Sequence, residues 1–127
     1  MTGHVGALAA ADALRKRTRD FAIRIVKLSH ALPKNDTARI LGRQVLRSGT
    51  SVGANYRAVC RARSRAEFVS RMAVVVEEAD ETVFWLELLV DTGIIPRERL
   101  GGLIQEAGEL LALCAASHRT AKRGLAH

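Results

Sequence analysis

The side chains best suited to bind a ligand are arginines concentrated in one stretch. Between Asp36 and Glu67 the chain has seven arginines and no acid. A guanidinium group keeps its charge at physiological pH and offers a fork of N–H donors that fits phosphate. In two runs, 39–43–47 and 57–61–65, arginine occurs at every fourth residue, so the arginines of each run lie along one face of a helix. The predicted nucleic-acid-binding residues are Arg39, Arg43, Arg47, Arg57, Arg61, Arg63 and Arg65.

Such a surface would contact the backbone of a nucleic acid rather than read its bases. Aromatic residues make up 4% of the chain, so few side chains could stack on unpaired bases. The sequence also shows no helix-turn-helix pattern. We therefore expect salt-sensitive binding to the phosphates of RNA or DNA, without recognition of base sequence.

An acidic stretch follows the basic one and offers a second explanation of the arginines. From Glu67 to Thr92 there are seven acids and one base, Arg71. The two stretches could pair with each other within one subunit. They could also pair between subunits, where complementary charge would fix the register of assembly. The sequence favours binding of a polyanion and pairing in an assembly about equally.

The sequence lacks the patterns of catalytic and metal-binding sites. A di-iron site in a helical bundle uses Glu-x-x-His pairs that face the core, and no such pair occurs here. Cys60 has arginine neighbours but no histidine nearby in the sequence, so we expect a buried structural thiol. The segment 49–53 (GTSVG) lacks the lysine of a phosphate-binding loop and does not form a nucleophile elbow. We predict a protein without enzymatic activity, metal or cofactor.

Composition indicates one folded domain in the cytoplasm. The chain has 127 residues, a net charge of +7 and an isoelectric point near 10.4. A basic balance of this kind favours a polyanionic partner. The first fourteen residues lack the features of a signal peptide, and no run approaches the ~18 apolar residues of a membrane span. We expect no membrane partner.

Apolar residues recur at helical spacing in four segments, and no segment shows the alternation of a β-strand. The predicted helices span about residues 12–32, 37–63, 65–92 and 97–119 of a bundle domain at 12–120, with flexible tails at 1–11 and 121–127. Asp36 or Thr37 can cap the second helix, Ser64 with Glu67 forms a capping box for the third, and Gly93 should end it. These long helices with short connections predict an all-α, antiparallel up-down-up-down four-helix bundle.

The middle of the second helix is weakened by glycine. Gly49 and Gly53 each cost about 1 kcal/mol relative to alanine within a helix. Either the helix bends at this point or another backbone packs closely against it. The sequence leaves both alternatives open.

The third helix has apolar residues on more than one side. Its predicted core seam alternates steps of three and four residues and consists of Val69, Met72, Val76, Ala79, Val83, Leu86 and Val90. The apolar residues outside this seam would be exposed on a monomer, which favours a covered interface. The predicted oligomer interface consists of Glu77, Glu81, Phe84, Trp85 and Leu88. A head-to-tail contact between the basic second helix and the acidic third helix of the next subunit would close a ring.

Four segments carry a family resemblance: residues 46–57 (LRSGTSVGANYR), 61–68 (RARSRAEF), 77–81 (EEADE) and 84–89 (FWLELL). Over residues 12–120 the chain resembles the bacterial four-helix-bundle family named for proteins encoded in intervening sequences of 23S ribosomal RNA, also called S23-like. The accessory variability protein of diversity-generating retroelements is similar to this family. The resemblance implies a left-handed bundle, and members of this family form homopentameric rings. In the accessory variability protein, the ring binds reverse transcriptase and nucleic acid through basic surfaces, so a nucleic acid or an enzyme such as a reverse transcriptase is a possible partner here. The family offers no active site to carry over.

Two functions follow from these patterns. The first is a ring-forming, non-enzymatic adaptor that binds RNA, DNA or an enzyme acting on nucleic acid through its arginine-rich surfaces. The second is a purely structural homo-oligomer, or a protein-interaction module, whose charges serve assembly. The two hypotheses differ in whether the arginines meet phosphate or the acidic helix of a neighbouring subunit.

Overall fold

The computed structural model describes residues 2–125 and consists of helices joined by short loops. The four α-helices are α1 (Thr2–Ala31), α2 (Asp36–Cys60), α3 (Arg65–Asp91) and α4 (Arg97–Leu125), and no strand occurs within residues 2–125. The prediction of an all-helical protein with four helices is therefore confirmed. Residue 1 and residues 126–127, which belong to the predicted flexible tails, lie outside the described residues.

Three helix boundaries differ from the prediction. Helix α1 begins at Thr2 rather than near residue 12, and α4 continues to Leu125 rather than ending near residue 119. The N-terminal extension is rich in alanine, which has the highest helix propensity and needs no tertiary contact to favour a helix. Helix α2 ends at Cys60, before the predicted boundary at residue 63.

Side-chain caps fix the starts of α2 and α3. The prediction of Asp36 or Thr37 as the cap of α2 is wrong, because the side chain of Asn35 accepts a hydrogen bond from the Ala38 N–H at 2.9 Å. Asn35 has the extended backbone that an N-cap requires. The predicted cap of α3 is confirmed, since Ser64 Oγ accepts from the Glu67 N–H at 3.0 Å.

Glycines of α2 let this helix lie close to α1. A Cβ atom on Gly53 would stand 3.0 Å from the carbonyl oxygen of Thr18, which is backbone and cannot move aside alone. Along α2, Gly49 lies against Ile25 and Gly53 against Thr18 of α1, and Gly42 lies against Leu32 just after α1. Of the two alternatives left open by the sequence, the close contact is the one observed, within an uninterrupted helix.

Each helix packs against the next one along the chain, and the smallest contact is between α1 and α4. The larger of two core clusters has Phe21, Ile25, Leu86, Leu89 and Leu110 among its buried members. The smaller cluster lies nearer the α2–α3 loop and includes Val52, Tyr56, Met72, Val75 and Cys114. This apolar interior leaves the charged side chains on the outside, where they form the surfaces described below.

The predicted core seam of α3 is correct for three of its residues and wrong for the other four. Three of its members, Met72, Ala79 and Leu86, are buried, but the four valines of the predicted seam are only half-buried. The buried face is completed by Val75, Thr82 and Leu89. This buried face is hard to recognise in the sequence because one of its residues, Thr82, is polar. Its hydroxyl donates to the Glu78 carbonyl at 2.7 Å, which satisfies the group inside the core.

Candidate nucleic-acid interface and assembly surface

The seven predicted arginines fall into two groups at different places on the bundle. Arg39, Arg43 and Arg47 lie on the N-terminal half of α2. The other four lie at its C-terminal end, in the α2–α3 loop and at the first residue of α3. All seven are exposed. The structure therefore divides one predicted patch into two surfaces with different surroundings.

The first group is partly neutralised by neighbouring acids. Arg47 reaches across to α3, where Nη1 lies 3.2 Å from Glu78 Oε2 and Nη2 contacts Glu81. Arg39 pairs with Asp36 one turn earlier. Arg43 makes no ion pair within the described chain and lines a shallow groove beside the α1–α2 loop. Pairing of the basic and acidic stretches within one subunit is thus observed at Arg47.

Glu81 is the centre of this polar network. Its Oε1 accepts a hydrogen bond from Trp85 Nε1 at 3.1 Å as well as the contact from Arg47. The hydrogen bonds from Trp85 and from Arg47 lower the pKa of Glu81, because both stabilise the carboxylate form. One predicted interface residue is therefore committed to contacts inside the subunit.

The second group borders two grooves on either side of α2. The α1–α2 groove has a volume of about 760 Å³ and is lined by Asp12, Arg15, Lys16, Arg19, Ala22, Gly53, Ala54 and Arg57. The α2–α3 groove has a volume of about 600 Å³ and is lined by Ala54, Arg57, Ala58, Arg61, Arg63, Glu67 and Arg71. Ala54 and Arg57 line both grooves, so the C-terminal half of α2 forms the ridge between them.

Acids neutralise some, but not all, of the bases that line these grooves. Three basic side chains have local partners: Arg15 with Asp12 at 2.8 Å, Lys16 with Asp20 at 3.0 Å, and Arg71 with Glu67 at 2.9 Å. Arg19, Arg57 and Arg61 form no ion pair within the part of the chain that the structure describes, and all three are exposed. A net positive surface therefore remains on both sides of the α2 ridge.

Glu67 is the one acid among the residues lining the α2–α3 groove. It accepts from the backbone N–H of Arg63 at 3.4 Å and from Arg71 Nε at 2.9 Å. The backbone hydrogen bond from Arg63 is the main cause that lowers the pKa of Glu67, and Arg71 adds to it. The carboxylate is thus held as an anion at the start of α3, where it ties the backbone before the Ser64 cap to the helix and orients Arg71.

Sequence reasoning missed the contribution of α1 to this surface. The signal was available as the run Arg15-Lys16-Arg17-Thr18-Arg19, which lies outside the stretch without acids. Arg17 turns away from the grooves and binds Glu106 of α4, with Nε 3.0 Å from Oε2. The hydrogen bonds and charge of Glu106 and Glu109 raise the pKa of Arg17. The sequence does not show that Arg17 points away from the groove that Arg15, Lys16 and Arg19 line; the structure does.

The predicted assembly surface on α3 has one strongly exposed aromatic ring. Phe84 is 56% exposed and meets Trp85 edge-on, with ring centroids 5.0 Å apart. Trp85 and Leu88 are half-buried, and Trp85 packs against the larger core cluster. Glu77 is exposed beside them. Phe84 and Glu77 are therefore the two most exposed members of the predicted interface.

The cysteines differ from each other. Cys60 is exposed, so the expectation of a buried thiol is wrong there, because the residue ends α2 where no neighbouring helix covers it. Cys114 is buried, and burial raises its pKa to about 11.

Among the described residues, no group of three His, Cys, Asp or Glu side chains could hold a metal ion. A membrane span requires a long apolar helix with few charges, and none of the four described helices meets this requirement.

Comparison with known proteins relates this architecture to one family. Residues 13–116 match the family described as 23S rRNA-intervening sequence protein. The chain is also similar to a crystal structure from Bacteroides thetaiotaomicron, described as a protein with unknown function from the S23 ribosomal protein family. The two chains are 35% identical with a TM-score of 0.79, and the match covers 86% of this chain and 97% of that chain. No curated protein matches, and neither similarity indicates an enzymatic family.

Proposed function

Because this chain belongs to the family of 23S rRNA-intervening sequence proteins, for which no activity is established, we propose a function from its surface. The protein is a non-enzymatic, cytoplasmic adaptor that binds the phosphate backbone of RNA or DNA, or an enzyme acting on nucleic acid. Binding takes place at the two grooves that flank the C-terminal half of α2. The arginines on the N-terminal half of α2 contribute less, since Arg47 and Arg39 already have acidic partners.

One observation carries this proposal: Arg19 of α1, Arg57 of α2 and Arg61 just after α2 line two adjoining grooves without acidic partners in the described chain. Positive charges that lie close together without acidic partners repel one another, so binding of a polyanion lowers their electrostatic energy. A guanidinium group binds phosphate through two parallel hydrogen bonds, and each neutralised phosphate releases condensed counterions. This surface therefore supports polyanion binding more strongly than pairing with α3.

We further propose that the helices run up-down-up-down in a left-handed bundle. The order of contacts supports opposite directions for α1 and α2, because residues 42, 49 and 53 meet residues 32, 25 and 18. Gly124 near the end of α4 lies against Arg65 at the start of α3, which supports opposite directions for that pair too. This arrangement places the basic grooves, Arg65 and the basic end of α4 in the same half of the bundle.

The proposal is tested by fluorescence anisotropy with labelled nucleic acid across a salt series. The variant combines Arg19→Ala, Arg57→Ala and Arg61→Ala. A matched control combines Arg24→Ala, Lys27→Ala and Arg99→Ala, three exposed bases around a different groove between α1 and α4. Both variants lose the same formal charge, so a difference between them reports the position of the charges and not their number.

The unmodified protein should show a steep dependence of affinity on salt. The groove variant should reduce the log–log slope by about 2 to 3, since each lost phosphate contact removes roughly 0.9 from it. The control variant should keep most of the slope. Equal losses in both variants, or no binding by the unmodified protein at low salt, would contradict the proposal.

A second candidate function, a homo-oligomer such as a pentameric ring, is favoured by Phe84. Aromatic groups are enriched in protein interfaces, and acidic residues of α3 surround this one on the outer face of the helix. Its natural complement is a basic, apolar surface on another copy, and head-to-tail contacts of this kind close rings. Phe84→Ser should lower the mass measured by light scattering. The control Leu113→Ser, which changes an exposed apolar residue of α4, should leave the mass unchanged.

A further inference from the structure

The arrangement of the two grooves indicates whether a single-stranded or a double-stranded nucleic acid would fit them. They run on opposite sides of a single ridge, and both are lined by the same two residues, Ala54 and Arg57. The ridge is one α-helix wide, about 10 Å. The grooves of a nucleic acid duplex are bordered by two phosphate rows, about 12 Å apart across the major groove of B-form DNA. Two rows of phosphates could therefore follow the two protein grooves at once.

Small residues keep this ridge low. Ala54 is exposed at its crest, and Gly53 lies beneath it against the α1 backbone. Ala58 lines the α2–α3 groove one turn later. Apart from Arg57, the crest thus has no long side chain between Ala54 and Ala58 that would hold a double helix away from the protein.

Aromatic side chains, which single-strand binders use, are missing from both grooves. The chain has five aromatic residues, and all of them lie in the described part: Phe21, Tyr56, Phe68, Phe84 and Trp85. None lines either groove. Stacking on an aromatic ring is worth about 1 to 3 kcal/mol per base for a single strand, and this surface does not offer it.

Electrostatic attraction alone favours a duplex over a single strand. Counterion release contributes roughly 0.9 to the salt slope for each contacted phosphate of duplex DNA and roughly 0.7 for a single strand. A duplex also presents two phosphate rows to the two grooves, whereas a single strand presents one. Both effects act in the same direction on a surface that has arginines and no aromatic rings.

We propose that the ligand is double-stranded nucleic acid, with its two backbones in the α1–α2 and α2–α3 grooves and the Ala54–Arg57 ridge between them. This inference rests on the proposed function and adds the form of the ligand. Arg57 stands on the ridge and contacts both backbones. Arg15 and Arg19 hold one backbone, and Arg61 and Arg63 hold the other.

The first test compares one duplex of about 20 base pairs with each of its separated strands, prepared as DNA and as RNA. The unmodified protein should bind a duplex of at least one kind about tenfold or more tightly than either of its strands at the same salt concentration. This comparison needs no variant, so it cannot fail through misfolding. Equal or tighter binding of the single strands would overturn the inference while leaving the proposed function intact.

The second test places charge on the crest of the ridge. Ala54→Glu introduces a carboxylate between the two backbones, whereas Ala54→Gln introduces a neutral side chain of the same size. Both favour helix and the position is exposed, so both should fold. Ala54→Glu should weaken duplex binding about fivefold or more relative to Ala54→Gln, by repulsion of nearby phosphates.

Failures of the inference and of the proposed function have different signatures. Equal duplex affinities for the two Ala54 variants, with binding still sensitive to the Arg19, Arg57 and Arg61 substitutions, would show that the ligand lies elsewhere on the basic surface. That result would overturn the inference alone. Absence of binding to every duplex and every strand at low salt would overturn both.

Discussion

Arg47 of the basic helix α2 and Glu81 of α3, the most acidic helix, form an ion pair that joins the two helices. The same carboxylate accepts a hydrogen bond from the indole N–H of Trp85. The side chains are 48% and 37% exposed, so water weakens the pair and its stabilisation is modest. The pair accounts for one of the seven predicted arginines, whereas Arg57, Arg61 and Arg63 around the grooves form no ion pair with the acids of α3 in the described chain.

Acidification should weaken the contribution of Glu81 to folding. Its pKa is lower in the folded protein than in the unfolded chain, so its stabilisation is complete above the unfolded value of about 4.3. It is lost as the pH falls through the lower, folded pKa. Chemical denaturation at pH 7 and pH 3 should show a larger loss of stability for the unmodified protein than for Glu81→Gln, by less than about 1 kcal/mol. An identical pH response of the unmodified protein and of Glu81→Gln would contradict this assignment.

Gly53 should not tolerate even one additional carbon atom. Alanine would gain about 1 kcal/mol of helix propensity, but its Cβ would lie 3.0 Å from the Thr18 carbonyl oxygen and would push the helices apart. We expect Gly53→Ala to lower the free energy of unfolding by about 1 kcal/mol. Gly101→Ala is the matched control, because nothing lies within 4 Å of its added Cβ. Gly101→Ala should raise the stability, and the urea midpoints of the two variants should therefore shift in opposite directions.

The corrected register of α3 can be measured with two adjacent valines. Val75 is fully buried, whereas Val76, which the sequence placed in the core seam, is half-buried. Replacement of a buried methyl by a hydroxyl should make Val75→Thr cost about 1 to 2 kcal/mol. Val76→Thr should cost about 0.5 kcal/mol or less, since its hydroxyl can reach water. If Val76→Thr lost more stability than Val75→Thr in thermal or urea unfolding, Val76 would belong to the core face, as the sequence predicted.

The two thiols should differ in reactivity towards a thiol reagent. Cys60 is exposed and should react in the native protein. Cys114 is buried and its pKa is raised to about 11, so little thiolate is available at pH 8. We expect one reactive thiol per chain under native conditions and two in denaturant. The variant Cys60→Ser should show none until the protein unfolds; rapid native labelling of that variant would contradict the burial of Cys114.

Features that depend on neighbours along the chain were predictable. Ser64 with Glu67 caps α3, and Gly93 follows the end of that helix with a φ of 76°, as the sequence indicates. A cap involves residues within one turn, so the local sequence contains the interaction. The predicted cap of α2, Asp36 or Thr37, lies one or two positions after the observed cap, because Asn35, Asp36 and Thr37 are all residue types that can cap. Only backbone geometry selects Asn35.

Features that depend on how helices are rotated against one another were not predictable. The buried face of α3 includes Thr82, so a count of apolar residues selected the neighbouring valines instead. The basic surface combines Arg19 of α1 with Arg57 of α2 and Arg61 just after it, which are distant from Arg19 in sequence. Their association depends on the close α1–α2 contact at Gly53 and could not be read from spacing within either helix.

The sequence by itself determined the number and type of the elements, the segregation of charge and the family, because periodicity, capping and composition act over a few residues at a time. The tertiary structure alone decided which charges are free. It directs Arg47 and Arg17 to acids on neighbouring helices and leaves Arg19, Arg57 and Arg61 around two open grooves. Electrostatic pairing depends on distances of a few ångströms, and such distances between helices are fixed by packing and not by the order of residues.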